Sequence, residues 1–375
     1  MTTPTSSSRP LRLTDIGDLI AAVPALLGFR PARSLVVLSL SPVTTRPGET
    51  GAATIGAVMR HDLLLDGPRD GTQDPMREAF RRFRAVCARE EADSVIAILV
   101  DDRLQDPHGP AAGRAHALLE EFAAYLATAD IVLGGALAVP AIDAGATWFV
   151  PGRDDSGTVP DPDASVVAAT RVFDGNPIRR TRSELTTLLE PYPASFRADV
   201  ASRLDAAVHA RDLAYERAER SGGSAAADRA ELGTLLALVL LGRDGEHLLP
   251  GECAELAVIL ANRTVRDAAL ALATGPWAGA AERLWVDLVR ALPDPERADA
   301  AALVAFGAYV RGDGPFAGVA LGVALESDPR HRLSDLLDQA LQAGLRPDAI
   351  RSLAATGYEI AARLGVALPQ DGPAR

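Results

Sequence analysis

The chain has no lysine. All 38 of its cationic side chains over 375 residues are arginine. Schiff-base catalysis is therefore excluded. So are a Walker phosphate loop and a protein-kinase site, because each uses a lysine point charge on the phosphates that arginine does not replace. Abundant alanine beside the missing lysine points to GC-rich coding as the origin of the bias. Other absences are equally restrictive. No Gly-x-Gly-x-x-Gly turn follows any strand-like segment, so a dinucleotide pyrophosphate lacks its glycine cradle and no cofactor is expected. No serine sits in a nucleophile elbow and no His-Glu-x-x-His pattern occurs, which leaves hydrolase chemistry without support.

Cysteine is scarce. Cys87 and Cys253 each fall among helix-patterned apolar residues, as small buried hydrophobes do, rather than in disulfide or metal spacing. A reducing cytoplasm is the expected location. The start, MTTPTSSSRPL, has no charged region followed by an apolar run. The longest apolar stretch, LLALVLL at 235–241, is too short for a bilayer. Neither secretion nor a membrane partner is expected. The net charge of −12 argues against nucleic acid as main partner, since phosphate binding rests on cationic surface.

The residues that are present divide the chain. The expected organisation is a disordered 1–10, an α/β domain over 11–160, connecting helices over 161–222, an all-α helical-hairpin or solenoid-like domain over 223–366, and a disordered tail 367–375. SLVVLSL at 34–40, SVIAILV at 94–100 and IVLGGALAV at 131–139 are almost wholly apolar, as strands covered on both faces must be. They are expected side by side in a mixed, largely parallel sheet with flanking helices. ATIGAVMRHDL at 53–63 alternates in period two and is expected to pair with the first strand as a hairpin. TWFV at 147–150 reads as an edge strand before the loop PGRDDSGTVPDPDAS.

Helix signals are clear in places. Thr14 is expected to cap a helix ended by Pro24. Asp74 with Pro75 opens another, whose stripe is Met76, Phe80, Phe83 and Cys87 and whose outer row is Arg77, Arg81, Arg82, Arg84 and Arg89. Asp163 is expected to cap a helix running to Phe173, and Thr181 with Glu184 makes a capping box for a helix ended by Pro191. After Pro193 a long amphipathic helix is expected to point Leu204, Val208 and Tyr215 inward. Beyond residue 226 helices recur in pairs at short Gly/Pro turns. The pair around Arg311-Gly312-Asp313-Gly314-Pro315 has small residues at close-contact positions and resembles one tetratricopeptide unit. Its neighbours keep the rhythm without the residue pattern, which leaves an irregular solenoid or a compact bundle.

Four longer segments carry a family resemblance: LTDIGDLIAAVPALLGFRPARSLVVLSL, the strand end Arg60-His61-Asp62-Leu63, FDGNPIRRTRSEL, and AFGAYVRGDGPFAGVALGVALESDP. Together they resemble an actinobacterial domain-of-unknown-function family, DUF4192, over nearly the whole chain. The resemblance implies a shared fold and no transferable activity. Relatives often carry a cysteine-bearing loop after the Trp-containing strand, and WFVPGRDDSGT here has none.

Candidate chemistry is concentrated at strand ends. Asp101 and Asp102 follow directly on SVIAILV, and ligands of open α/β sheets bind at the carboxyl ends of strands. With His108 and Asp106 nearby they are candidate metal ligands, and with Arg60 and Asp62 candidate catalytic residues. A solvated turn and a cross-strand ion pair are the plainer readings of the same residues. His116 and Glu120 lie one helical turn apart, read as a surface contact or an acid/base pair. Trp277 and Trp285 read as core anchors or a partner site. The arginines of NPIRRTR read as a solvated loop or an anion site.

Two function classes follow. The favoured expectation is a cytoplasmic protein-binding or scaffold protein whose helical domain meets a protein partner or a second copy of itself. The alternative is an enzyme or sensor for an anionic or phosphorylated small molecule at the carboxyl edge of the sheet.

Overall fold

A computed structural model describes residues 15–42, 53–66, 74–173, 178–179, 181–221, 223–241 and 248–370. The chain divides into two compact units, Met1–Arg182 and Ser183–Arg375. The first ten residues and 371–375, where disorder is expected, lie outside the described residues, as does Arg180 of NPIRRTR.

The first unit is built on a six-stranded sheet of order β2-β1-β3-β4-β5-β6. Its strands are β1 (Ser34–Pro42), β2 (Ala53–Asp62), β3 (Ser94–Val100), β4 (Val132–Val139), β5 (Thr147–Phe149) and β6 (Ser156–Thr158). The three apolar segments lie side by side as β1, β3 and β4, and the β1–β2 hairpin forms. The sheet is mixed, but the expected predominance of parallel pairs is corrected. Only β3 with β4 is parallel, while β1–β2, β1–β3, β4–β5 and β5–β6 are antiparallel. The reason is the route of the chain: β2 reverses the direction of β1 before the next helix carries it across. β3 therefore runs like β2 but lands on the far side of β1. TWFV is not the edge strand. β6 covers β5 from within the segment expected to be loop.

Helices α1 (Ile16–Leu27), α2 (Pro75–Arg89), α3 (Pro110–Ala127) and α4 (Val166–Phe173) accompany this sheet. Asp74 caps α2 by accepting from the Met76 amide at 2.9 Å, as its Asp-Pro start implies. The stripe of α2 meets α3 over one face of the sheet, where the Phe80 and Phe122 rings are centred 4.9 Å apart within a core that includes Leu35, Val37, Ala97 and Leu99. The cap of α1 is Asp15 rather than Thr14, and Pro24 lies inside that helix. A proline costs a helix most where it removes an internal hydrogen bond, yet buried Val23, Pro24 and Ala25 hold this one to Leu27. Asp161 rather than Asp163 caps the next element, a 3-10 turn over Pro162–Ala164 that precedes α4.

The second unit is helical. It follows α5 (Arg182–Thr187) with α6 (Ala194–Ser221), α7 (Ala225–Leu241), α8 (Pro250–Ala261), α9 (Arg263–Ala269), α10 (Ala278–Ala291), α11 (Arg297–Val310), α12 (Gly314–Ser327), α13 (Arg332–Gln342) and α14 (Pro347–Arg363). α5 stops at Thr187, short of the expected Pro191. On α6, Leu204 and Tyr215 are half-buried, but Val208 is exposed, against expectation.

The α11–α12 pair turns as its sequence requires. Gly312 takes φ 79°, a left-handed backbone that favours glycine, and Asp313 caps α12 by accepting from the Phe316 amide. Every residue of α11 from Ala298 to Val310 except Asp299 is buried. Its neighbours are α8, α10, α12, α13, α14 and the 3-10 segment Leu270–Thr274. A stack of hairpins touches only adjacent repeats. A helix enclosed by non-adjacent ones belongs to a compact bundle, the other of the two all-α arrangements expected.

Candidate functional site

The register of the sheet brings the sequence-selected residues to one end. Ser34 at the start of β1 is level with Asp62 at the end of β2 and with Val100 at the end of β3, and Val100 is level with Val139. Arg60 and Asp62 therefore share an edge with Asp101 and Asp102, as expected for the carboxyl ends of β2 and β3.

Asp101 is fully buried. Its amide donates to the Val139 carbonyl at 3.1 Å, which fixes the turn against β4. Its carboxylate is grasped by Arg103 in a bidentate fork, Nε to Oδ1 and Nη2 to Oδ2, both 2.7 Å, while the Arg103 amide donates to Oδ1 at 3.0 Å. Burial pushes the Asp101 carboxyl up, but the hydrogen bonds and charge of Arg103 outweigh it and hold the group below its ordinary value. Hydrogen bonding to Asp101 in turn raises Arg103. Arg103 also pairs with Asp66, and Asp66 lies 3.1 Å from Arg114 Nε on α3.

Asp102 faces the opposite way. It is exposed and pairs with Arg33, Nε to Oδ1 at 3.1 Å. Arg60 donates through Nε to Ser34 Oγ at 2.8 Å and through Nη2 to Asp62 at 2.5 Å. Burial lowers Arg60 from its ordinary value, and the Asp62 charge opposes that only in part. The four guanidiniums of Arg33, Arg60, Arg103 and Arg114 thus meet the four carboxylates of Asp62, Asp66, Asp101 and Asp102. These charges largely offset one another, with the Arg182 charge also acting on Arg60.

The metal set proposed from the sequence does not assemble. His108 is exposed, and its contact with Asp106 is a backbone amide donating to Oδ1 at 2.9 Å, a turn that leads into α3. Among the described residues no three His, Cys, Asp or Glu side chains converge on one point. His116 and Glu120 are an exposed pair 3.4 Å apart. Arg179 of NPIRRTR is bound through its backbone, which exchanges hydrogen bonds with Gly28 and Arg30. The outer row of α2 is solvated and partly paired, with Arg77 on Glu121 and both Arg81 and Arg82 on Glu78. Trp285 is buried in the bundle and Trp277 is half-buried just before α10. Both cysteines are free and buried, and burial pushes the Cys87 thiol up to about 11 and the Cys253 thiol up to about 12, so neither is a thiolate at neutral pH.

Two constellations in the helical unit escaped the sequence reading. Asp299 accepts from His331 Nε2 at 3.0 Å and from Arg266 Nη1 at 2.9 Å, and His331 Nδ1 lies 2.7 Å from Ser334 Oγ. The order Asp-His-Ser is that of an acyl-transfer triad. Here, however, Ser334 is fully buried, and His331 caps α13 by accepting from the Ser334 amide. The trio ties the start of α13 to α11 and α9. The only sequence signal was His331-x-x-Ser334, the spacing of a helix cap. The second group is Tyr215, Asp228, Glu231 and Asn262, where Asn262 Nδ2 donates to both carboxylates and to the tyrosine oxygen. Open cavities of about 210 and 460 Å³ also lie in this unit, the larger lined by Arg351, Tyr358 and Glu359.

No helix among the described residues is long and apolar enough to cross a membrane. Of the known families compared, the model described as Domain of unknown function (DUF4192) matches residues 17–348. No curated protein and no solved structure matches the chain.

Proposed function

The chain belongs to the DUF4192 family of domains of unknown function, and from that footing we propose that it is a cytoplasmic binding or scaffold protein that engages a protein partner through its helical unit. The observation that carries this reading is the distribution of exposed apolar side chains. Of twelve large apolar residues left exposed among the described ones, five lie on α6, on α7 and at the start of α8: Val208, Leu213, Leu240, Leu241 and Leu249. Leu249 is 66% exposed. These three helices pack on one another. Exposed apolar side chains concentrated on one helical group cost solubility unless a partner covers them, and apolar surface of this kind is what interaction sites use.

The alternative, an anionic small molecule at the sheet edge, has less behind it. An anion there would compete with the chain's own carboxylates, which already pair with Arg33, Arg60, Arg103 and Arg114, although Arg114 Nε is buried without a hydrogen-bond partner. The packing of buried α11 on α8 supports the favoured reading, since it anchors one of the surface helices to the core of the unit.

The test is a comparative capture from a native cell extract, with the full chain and a Leu240→Glu/Leu241→Glu/Leu249→Glu variant as baits. A stoichiometric protein that the wild type retains and the variant loses supports the proposal. Equal capture by both, or none by the wild type, refutes it.

A further inference from the structure

The two edges of the sheet differ. β6 is three residues long, a length that offers little for another strand to pair with, whereas β2 at the other edge is ten residues long and contains no proline. Long unpaired edges are places where a sheet accepts another strand, and folds usually shorten or cover them.

The direction of the free groups follows from the ladder. The Leu63 amide donates to the Arg33 carbonyl at 2.7 Å, so residue 63 points its backbone toward β1. Alternation along an antiparallel strand then turns His61 and Met59 toward β1 and leaves the N–H and C=O groups of Val58, Arg60 and Asp62 facing outward. Among the described residues, no backbone group of another strand or loop pairs with that outer side. The one contact there is internal: His61 Nδ1 lies 2.8 Å from the Asp62 carbonyl, whose oxygen keeps a second lone pair. A bulge interrupts β2 opposite Ser39, so the regular stretch begins at Val58.

This stretch is complementary to itself. Val58, Arg60, Asp62 and Leu64 share one face by parity. If a second β2 runs antiparallel with His61 opposite His61 of the copy, Arg60 stands opposite the copy's Asp62, Asp62 opposite its Arg60, and Leu64 opposite its Val58. Leu64 is an exposed apolar residue, 42% accessible, between buried Leu63 and Leu65. Arg60 is mostly buried with one carboxylate against it, and Asp62 is largely exposed. Two reciprocal ion pairs flanked by two apolar pairs is the pattern that fixes register between antiparallel strands. We propose that β2 is the contact between two copies of this chain, joined antiparallel about a two-fold axis at His61 so that the two sheets become one. This contact lies on the α/β unit and does not depend on the helical surface discussed above.

The experiment is sedimentation velocity on the full chain and on Arg60→Asp and Asp62→Arg, alone and mixed. In the proposed register each variant alone places like charges opposite one another, while one copy of each restores both ion pairs. The expected result is a wild-type species of twice the 39.2 kDa chain mass, monomers for each variant, and the doubled mass again on mixing. A wild type that stays monomeric, variants that still dimerise alone, or folded variants that fail to combine overturn the proposal. Should either variant fail to fold, amide exchange of the wild type decides. The Val58, Arg60 and Asp62 amides must slow as concentration rises, and exchange independent of concentration overturns the pairing.

Discussion

Asp101 and Arg103 form a closed fork: both carboxylate oxygens of a fully buried aspartate are held at 2.7 Å by an arginine two residues away. The same aspartate is hydrogen-bonded through its amide to the end of β4. The pair therefore locks the turn after β3 to the neighbouring strand. Removing Asp101 deletes the buried half of the fork and its charge-assisted hydrogen bonds, at a cost of about 2 kcal/mol because Arg103 keeps Asp66 and partial access to water, whereas an exposed pair adds little. Asp101→Ala is expected to lower unfolding free energy by roughly that amount, and Asp102→Ala to leave it nearly unchanged. Urea unfolding of both variants measures the difference. Equal losses would show that the fork is not what stabilises the turn.

Acid should act on the same groups. Asp101 and Asp299 are both held below the ordinary carboxylate range, Asp101 by Arg103 and Asp299 by His331 and Arg266, in each case against an opposing effect of burial. A depressed carboxyl contributes stability that is present above its unfolded value and is lost as pH falls through its folded one. Unfolding free energy is thus expected to decline as pH drops below about 4. The decline should be shallower in Asp101→Asn. An unchanged acid limb in that variant contradicts the assignment.

Glu231 runs the opposite way. Burial raises its carboxyl above the ordinary value, and its Oε1 is buried without a hydrogen-bond partner. A raised carboxyl is favoured in its protonated form and costs stability once ionised. Glu231→Gln keeps the shape, removes the charge and leaves Asn262 and Tyr215 with an oxygen to contact. It is expected to raise stability at neutral pH by about 1 kcal/mol and to have less effect near pH 4. Thermal unfolding at the two pH values checks both statements.

The Asp299-His331-Ser334 trio is expected to be chemically silent. Ser334 is fully buried and its amide is bound to His331. A fluorophosphonate probe should leave the folded chain unlabelled, while His331→Ala should cost about 1 to 2 kcal/mol through loss of the cap on α13. Stoichiometric labelling of Ser334 in the native protein would reverse this reading.

Much of this arrangement is legible in the sequence, and the exceptions share a cause. SLVVLSL, SVIAILV and IVLGGALAV announce themselves as strands through short, almost wholly apolar runs rich in branched residues, although the start of β4 is left exposed at Val132. Asp74-Pro75 and Arg311-Gly312-Asp313 state a helix start and a helix turn through local chemistry alone. Strand direction is not local. Apolarity at every position is compatible with either polarity, so the antiparallel placement of β3 beside β1 stayed hidden until the path through β2 was traced. The site behaves likewise. Asp101 and Asp102 are neighbours in sequence with opposite environments, one buried on Arg103 and one exposed on Arg33. Nothing in an Asp-Asp pair tells which is which. Asp66 and Arg114, which extend the network, come from distant segments joined only by the fold.

Asp101 and Asp102 are consumed by the fold, on Arg103 and Arg33, and the surface that meets a different protein lies on the helical unit. Site-specific photo-crosslinking in the native cell tests this most directly, with a photoreactive amino acid placed at Leu249 in one chain and at Asp102 in another. The expected result is an adduct with a different protein from position 249 and none with a different protein from position 102. Such an adduct from position 102 alone, or from neither, would contradict it.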